Sequence, residues 1–252
     1  MAETRFIYNN LWRKGTMLDA SSEDPQHPAT DTQVDTKSMY YKALVKTSPC
    51  TVPNDLITPQ VIDFVAILGH NFEPTDVTIK FQGATNSAFT TGIVTEELTY
   101  NATDIFEFFT AWPARQYVRV LLEKATDFTD YPQFANVICG KYFEPNIDYV
   151  RGYAPGREDP SEVELTDDMV LFAQEKPILK TWRLPYWSLD DASKDEVLAL
   201  MEECGKHKAF VVVFDKALPN SDSHLVRIEE ASSPEFQFFN IWNWNLVIKE
   251  VK

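Results

Sequence analysis

The chain has 252 residues, of which 44% are hydrophobic and 24% charged, so it can bury a core and is no disordered tail. Domains cluster near ~100–150 residues, which leaves room for one large domain or two ordinary ones. With Lys+Arg 23 against Asp+Glu 38 the net charge is −15, an acidic surface unsuited to a phosphate backbone, so no nucleic-acid partner is expected. No apolar run approaches the ~20 residues of a bilayer span, and no membrane insertion is expected. The first turns of sequence, Met1-Ala2-Glu3-Thr4-Arg5-Phe6, open no continuous apolar stretch, so secretion by a signal peptide is not expected either. Cys50, Cys139 and Cys204 form no CxxC pair and read as buried, reduced thiols.

Residues 5–150 read as short β-strands. Residues 61–68 are a strand-length apolar run closed by the turn-prone Gly69-His70-Asn71. Val77, Ile79 and Phe81 alternate along the next strand, which Gln82-Gly83 ends. Residues 117–123 alternate again, with Val118, Val120 and Leu122 on one side, and 136–140 make a further short strand. Several short strands between turn signals predict a β-sandwich or barrel. Two prolines and two glycines between 152 and 160 mark a linker or long surface loop. The expected organisation is therefore a sandwich over 1–154, a linker over 155–165 and a smaller α+β module over 166–252.

In that module, residues 178–186 alternate around Ile178, Trp182, Leu184 and Tyr186. Ser193-Lys194-Asp195-Glu196 matches a capping box, and Val197, Leu198, Leu200, Met201 and Cys204 follow at helical spacing. A helix over about 194–204, closed by Gly205, is predicted. Strands follow at 209–214 and 225–228, and the chain closes on an alternating strand with Trp242, Trp244, Leu246 and Ile248 on one face.

Chemistry is thinly marked. His27, His70, His207 and His224 contain no HExxH and no pair within one helical turn. His70 fits a turn-tying role, and His207 follows the predicted helix C-terminus, where partial positive charge is favourable. There is no GxSxG, Walker loop or GxGxxG, so no catalytic residue is nominated. Asp31 with Asp35, and Asp127 with Asp130, either hold a structural calcium through carboxylate and backbone oxygens or are plain solvated carboxylates. The acidic stretch Glu158, Asp159, Glu162, Glu164, Asp167 and Asp168 reads as a solvated face. Aromatics reach 13%, including six tryptophans. Trp182, Trp242 and Trp244 lie on alternating strand faces and read as core or interface. Tyr40, Tyr41, Trp112 and Tyr131 lie in or near loops and are the candidate ligand-binding residues.

Asn9-Asn10-Leu11, then Met17-Leu18-Asp19-Ala20-Ser21-Ser22-Glu23-Asp24-Pro25 and Pro28-Ala29-Thr30-Asp31, resemble the opening of a discoidin-type (coagulation factor 5/8 type C) domain. Val61-Ile62-Asp63-Phe64-Val65-Ala66-Ile67-Leu68-Gly69-His70-Asn71-Phe72 resembles a phrase of galactose-binding-like jelly rolls, especially those of phage and prophage tail regions. Arg115-Gln116-Tyr117-Val118-Arg119-Val120 and Ile138-Cys139-Gly140-Lys141 fit later strands of the same domains, so the resemblance spans roughly residues 9–145. A tryptophan usual in that family is replaced around Met39-Tyr40-Tyr41. The second half resembles, by element order, small α+β modules of tail and baseplate proteins.

The resemblance implies a mainly β protein: a galactose-binding-like jelly-roll β-sandwich followed by a smaller α+β module. It further implies a non-enzymatic tail-associated structural protein, located in a virion or in the bacterial cytoplasm before assembly. Its partners would be a host-surface glycan or a neighbouring subunit, other tail or virion proteins, and further copies of itself in a homo-oligomer. No cofactor is expected besides the calcium. Two alternatives stay open: a free-standing carbohydrate-binding module, and a glycan hydrolase using two loop carboxylates.

Overall fold

The computed structural model describes residues 4–149, 154–165, 171–174 and 176–251. The chain divides into two compact units, Met1–Phe143 with Val211–Ser223, and Glu144–Phe210 with His224–Lys252. The break expected near residue 155 thus falls inside the second unit, and a segment from the second half of the sequence returns to the first.

In chain order come β1 (Arg5–Ile7), helix α1 (Leu11–Lys14), β2 (Thr16–Met17), β3 (Tyr41–Lys42), β4 (Cys50–Gln60) and β5 (Phe64–Leu68). Then follow β6 (Val77–Ala84), β7 (Val94–Glu97), β8 (Asp104–Phe108), β9 (Arg115–Lys124), β10 (Gln133–Phe134) and β11 (Asn136–Gly140). Beyond them are β12 (Ala154–Glu158), β13 (Glu162–Leu165), β14 (Leu171–Gln174), β15 (Leu179–Leu189) and helix α2 (Asp191–Cys204). The last strands are β16 (Phe210–Val213), β17 (Ser223–Ala231), β18 (Glu235–Phe238) and β19 (Ile241–Glu250).

The first unit is an antiparallel β-sandwich. One sheet runs in the order β2-β4-β9-β6-β7 and the other β11-β5-β8. The alternation read in β9 sends Val118, Val120 and Leu122 inward. There they share one core with Val65 and Ile67 of β5, Val137 and Cys139 of β11, and Phe81 of β6. Each fully buried aliphatic or aromatic side chain contributes ~1.5–3 kcal/mol. β5 is buried at all five positions, which is why its sequence reads as a continuous apolar run rather than an alternating one. Its strand starts at Phe64, however, not at residue 61. The carbonyl of Ile62 accepts from Trp112 N and that of Asp63 from Phe109 N, so these two carbonyls bond to the segment that follows β8. Gly69 then turns the chain with φ +63°, as its sequence position suggested. β16 joins this unit by pairing with β1, Phe6 opposite Val212.

Trp12 of α1 is fully buried and fixed on both sides. Its indole Nε1 donates to Thr32 Oγ1 at 2.9 Å, and its carbonyl accepts from Asn54 Nδ2 at 2.6 Å. The Asn10 side chain caps this short helix by accepting from Trp12 N.

The second unit is α+β. Its sheet runs β17-β19-β15-β12, with β18 paired to β19 and a separate β13–β14 hairpin. β15 and β19 pair Trp182 with Ile248, Leu184 with Leu246 and Tyr186 with Trp244, all buried. Of the residues at helical spacing, helix α2 buries Val197, Leu200 and Cys204, while Leu198 is exposed. Its start differs from the capping-box reading. Asp190 is the N-cap and accepts from Ser193 N at 2.8 Å, so the helix begins three residues earlier. Ser193 is buried inside the first turn, where its hydroxyl accepts from Asn146 N at 3.0 Å. A tertiary contact claimed the serine, and the preceding aspartate took the cap. Gly205 closes α2 at φ +50°, its N–H donating to Met201 O. Among the described residues no helix is long and apolar enough to cross a membrane. Asp167 and Asp168 of the acidic stretch lie outside the described residues.

Candidate functional site

Of the four aromatic candidates, two are core residues. Tyr41 on β3 has no exposed surface; its ring packs 5.2 Å from that of Phe134, and its hydroxyl donates to the Ser22 carbonyl. Burial raises its pKa well above the usual phenol range, with the Cys50 thiol beside it adding to the effect. Burial also pushes the Cys50 thiol up. Trp112 is 7% exposed, stacked 5.4 Å from Phe81, with the tilted ring of Phe109 4.8 Å away. It precedes β9, whereas Tyr131 follows β9, so the two lie toward opposite ends of that strand. Neither Tyr41 nor Trp112 presents a face to a ligand, which corrects their assignment as binding residues.

Tyr40 and Tyr131 remain at the surface, and the short β3–β10 ladder brings their segments together. Lys42 pairs with Gln133 and Tyr41 with Phe134. Tyr40, just before β3, stacks on His27 with ring centroids 4.3 Å apart and planes within 13°. Lys42 ties that pair to the ladder, its N–H donating to the His27 carbonyl at 3.1 Å. Tyr131, two residues before β10, is 41% exposed. The ammonium groups of Lys42 and Lys46 lie 5.4 and 5.0 Å from its ring centroid.

The backbone beneath Tyr131 is held tightly. Asn71 clamps it: Nδ2 donates to the Tyr131 carbonyl at 3.0 Å, and Oδ1 accepts from Gln133 N at 2.9 Å. Lys46 Nζ donates to the Thr129 carbonyl, and Ser22 Oγ accepts from Leu44 N at 2.9 Å and Val45 N at 3.0 Å. Glu73 adds a further anchor, accepting from Thr129 N at 2.6 Å while pairing with Lys124 at 2.5 Å. These bonds fix an exposed aromatic ring with two cations over it, the exposed Asp130 carboxylate next to it in sequence, and a ring pair close by. An exposed cation–π contact is worth only ~0.5–1 kcal/mol, so a ligand replacing an ammonium on this ring displaces little. A pre-ordered loop costs less entropy on binding than a loose one.

His70 does tie down its turn. Its Nδ1 accepts from Phe72 N at 3.2 Å, and its ring stacks on that of Phe72 at 4.4 Å. Burial lowers its pKa, against the raising effect of the Asn101 backbone and of Asp104. Asp35 forms an ion pair with Arg13. Burial raises the pKa of Asp31, against the lowering effect of His27. Asp127 and Asp130 are both exposed. Among the described residues no group of three or more His, Cys, Asp or Glu is placed to hold a metal ion.

The sequence nominates none of Lys42, Lys46 and Asn71 as a binding residue. Asn71 was marked only as a turn residue, and lysines in a polar loop carry no pattern of their own. Their joint placement arises from segments 42–46, 71–73 and 128–133 meeting in space.

No family model matches the chain, and no curated protein matches it. Among solved structures, the chain is similar to chitosan-binding module 1 of a chitosanase/glucanase from Paenibacillus sp. IK-5, at 19% identity and TM-score 0.44, over 53% of this chain and 99% of that one. It is similar to the family 32 carbohydrate-binding module of NanJ from C. perfringens, solved with galactose, at 13% identity and TM-score 0.41, over 56% and 99%. A third is the lectin domain of lectinolysin complexed with Lewis B antigen, at 16% identity and TM-score 0.42, over 53% and 96%.

Proposed function

We propose that this chain is a non-catalytic carbohydrate-binding protein whose sandwich takes a glycan at the Tyr131 face. The observation that carries the reading is the exposed Tyr131 ring, held from below by Asn71 and flanked by Lys42 and Lys46. An aromatic face packs on the apolar side of a pyranose, while ammonium and carboxylate groups at the rim bind its hydroxyls. The ligand class is also the one named for the similar modules above, but the residues that support the reading are this chain's own. A glycan array followed by affinity electrophoresis tests it. The wild type should be retarded by at least one glycan, and Tyr131→Ala should abolish that retardation with its melting temperature unchanged. Full retention by Tyr131→Ala, or no glycan bound by the wild type, overturns the proposal.

The finer reading is a tail-associated component of a phage or prophage particle. What supports an assembly contact is β18, exposed at all four positions, with Phe236 and Phe238 followed by Phe239 at the hairpin turn. Exposed aromatics on an edge strand are enriched in subunit interfaces and are a liability on a lone molecule. Light scattering after size exclusion should show a discrete oligomer that Phe236→Ser and Phe238→Ser together dissolve. A wild-type monomer at every concentration refutes this part.

A further inference from the structure

The second unit contains a depression of about 530 Å³ at the end of its sheet, a size typical of small-ligand sites. Leu179 of β15 and Ile228 of β17 give it an apolar lining. Three cationic residues line it in a chain that carries 15 more acidic than basic groups: Lys206, Arg227 and Lys249. Arg227 and Lys249 stand directly opposite each other on β17 and β19. Like charges in that position are destabilising, and Glu158 offsets the one on Lys249. Lys206 reaches the same depression from the turn after α2.

Acidic residues around it engage part of this charge. Glu158 pairs with Lys249 at 2.6 Å. Glu250 accepts from Lys180 N at 3.3 Å and lies 3.8 Å from His224 Nδ1. Among the described residues the side chains of Arg227 and Lys206 have no ion-pair or hydrogen-bond partner, and the carboxylates that share the lining with them are Glu229 and Glu250. An exposed guanidinium offers two parallel donors, matched to a carboxylate. Glu229 and Glu250 in turn accept hydrogen bonds from hydroxyl groups, and the apolar lining suits the carbon face of a ring.

We propose that this depression binds a carboxylate-bearing sugar, with Arg227 taking the carboxylate, Lys206 supporting it electrostatically, and the glutamates accepting from hydroxyls. The site is independent of the Tyr131 face and stands or falls without it. The test is calorimetric titration of the full chain with sodium glucuronate, with glucose at matched ionic strength as the neutral control. Saturable glucuronate binding is expected, at least tenfold weaker in Arg227→Gln and unchanged in Tyr131→Ala. Arg227 is exposed, so its substitution leaves the fold in place. No saturable glucuronate binding, equal affinity for glucose, or full affinity in Arg227→Gln overturns the proposal.

Discussion

Tyr40, Tyr41 and Tyr131 look alike in the sequence, and the structure predicts that they behave differently when truncated. Tyr41 has no exposed surface, packs on Phe134 and donates a buried hydrogen bond to Ser22 O. Removing a buried aromatic ring costs about 3–5 kcal/mol, since the surroundings close the cavity only in part. A domain of this size loses ~2–4 °C of melting temperature per kcal/mol, so Tyr41→Ala should melt roughly 6–20 °C below the wild type. Tyr41→Phe keeps the ring and loses the hydroxyl bond, at a cost of ~1–2 kcal/mol. Tyr131→Ala removes an exposed ring and should stay within ~0.5 kcal/mol of the wild type. Differential scanning calorimetry of the three variants, followed by glycan retardation, separates the roles. If Tyr41→Ala melts within about 2 °C of the wild type, the placement of Tyr41 in the core is wrong.

Two further predictions concern the helix start and acid stability. Asp190→Ala should destabilise the second unit by ~0.5–2 kcal/mol in urea unfolding through loss of the α2 cap, while Glu196→Ala has little effect. The reverse order would restore the capping-box reading. Glu73 has its pKa pushed down to about 2, first by the hydrogen bond from Lys124 and then by that from Thr129 N. Its folded pKa lies below its ordinary value of 4.5, so its stabilisation is present above that pH and is lost as pH falls from 4.5 toward 2. Glu73→Gln should therefore be less stable than the wild type at pH 7, with the gap closing through that window. A gap that stays constant with pH counts against the ion pair.

Local pattern decided the elements whose side chains obey one period. The alternation of Val118, Val120 and Leu122 gave β9, the apolar run at 61–68 gave β5 apart from its start, and the spacing from Val197 to Cys204 with Gly205 beyond gave α2 and its end. These are properties of a few adjacent residues, so the sequence alone carries them. The Tyr131 face is different in kind. Adjacent residues on a strand point to opposite faces, so Tyr40 and Tyr41 had to part company, but only the pairing of β3 with β10 decides that Tyr41 is the one beside Phe134. Trp112 sits in a loop by sequence and in the core by structure, because Phe81 and Phe109 meet it from other segments. Ser193 lost its expected cap to a contact with Asn146, 47 positions away in sequence. Lys42, Asn71 and Tyr131 converge only once the sandwich has closed, since hydrogen bonds between segments 60 and more residues apart hold that loop, and no local pattern encodes such contacts.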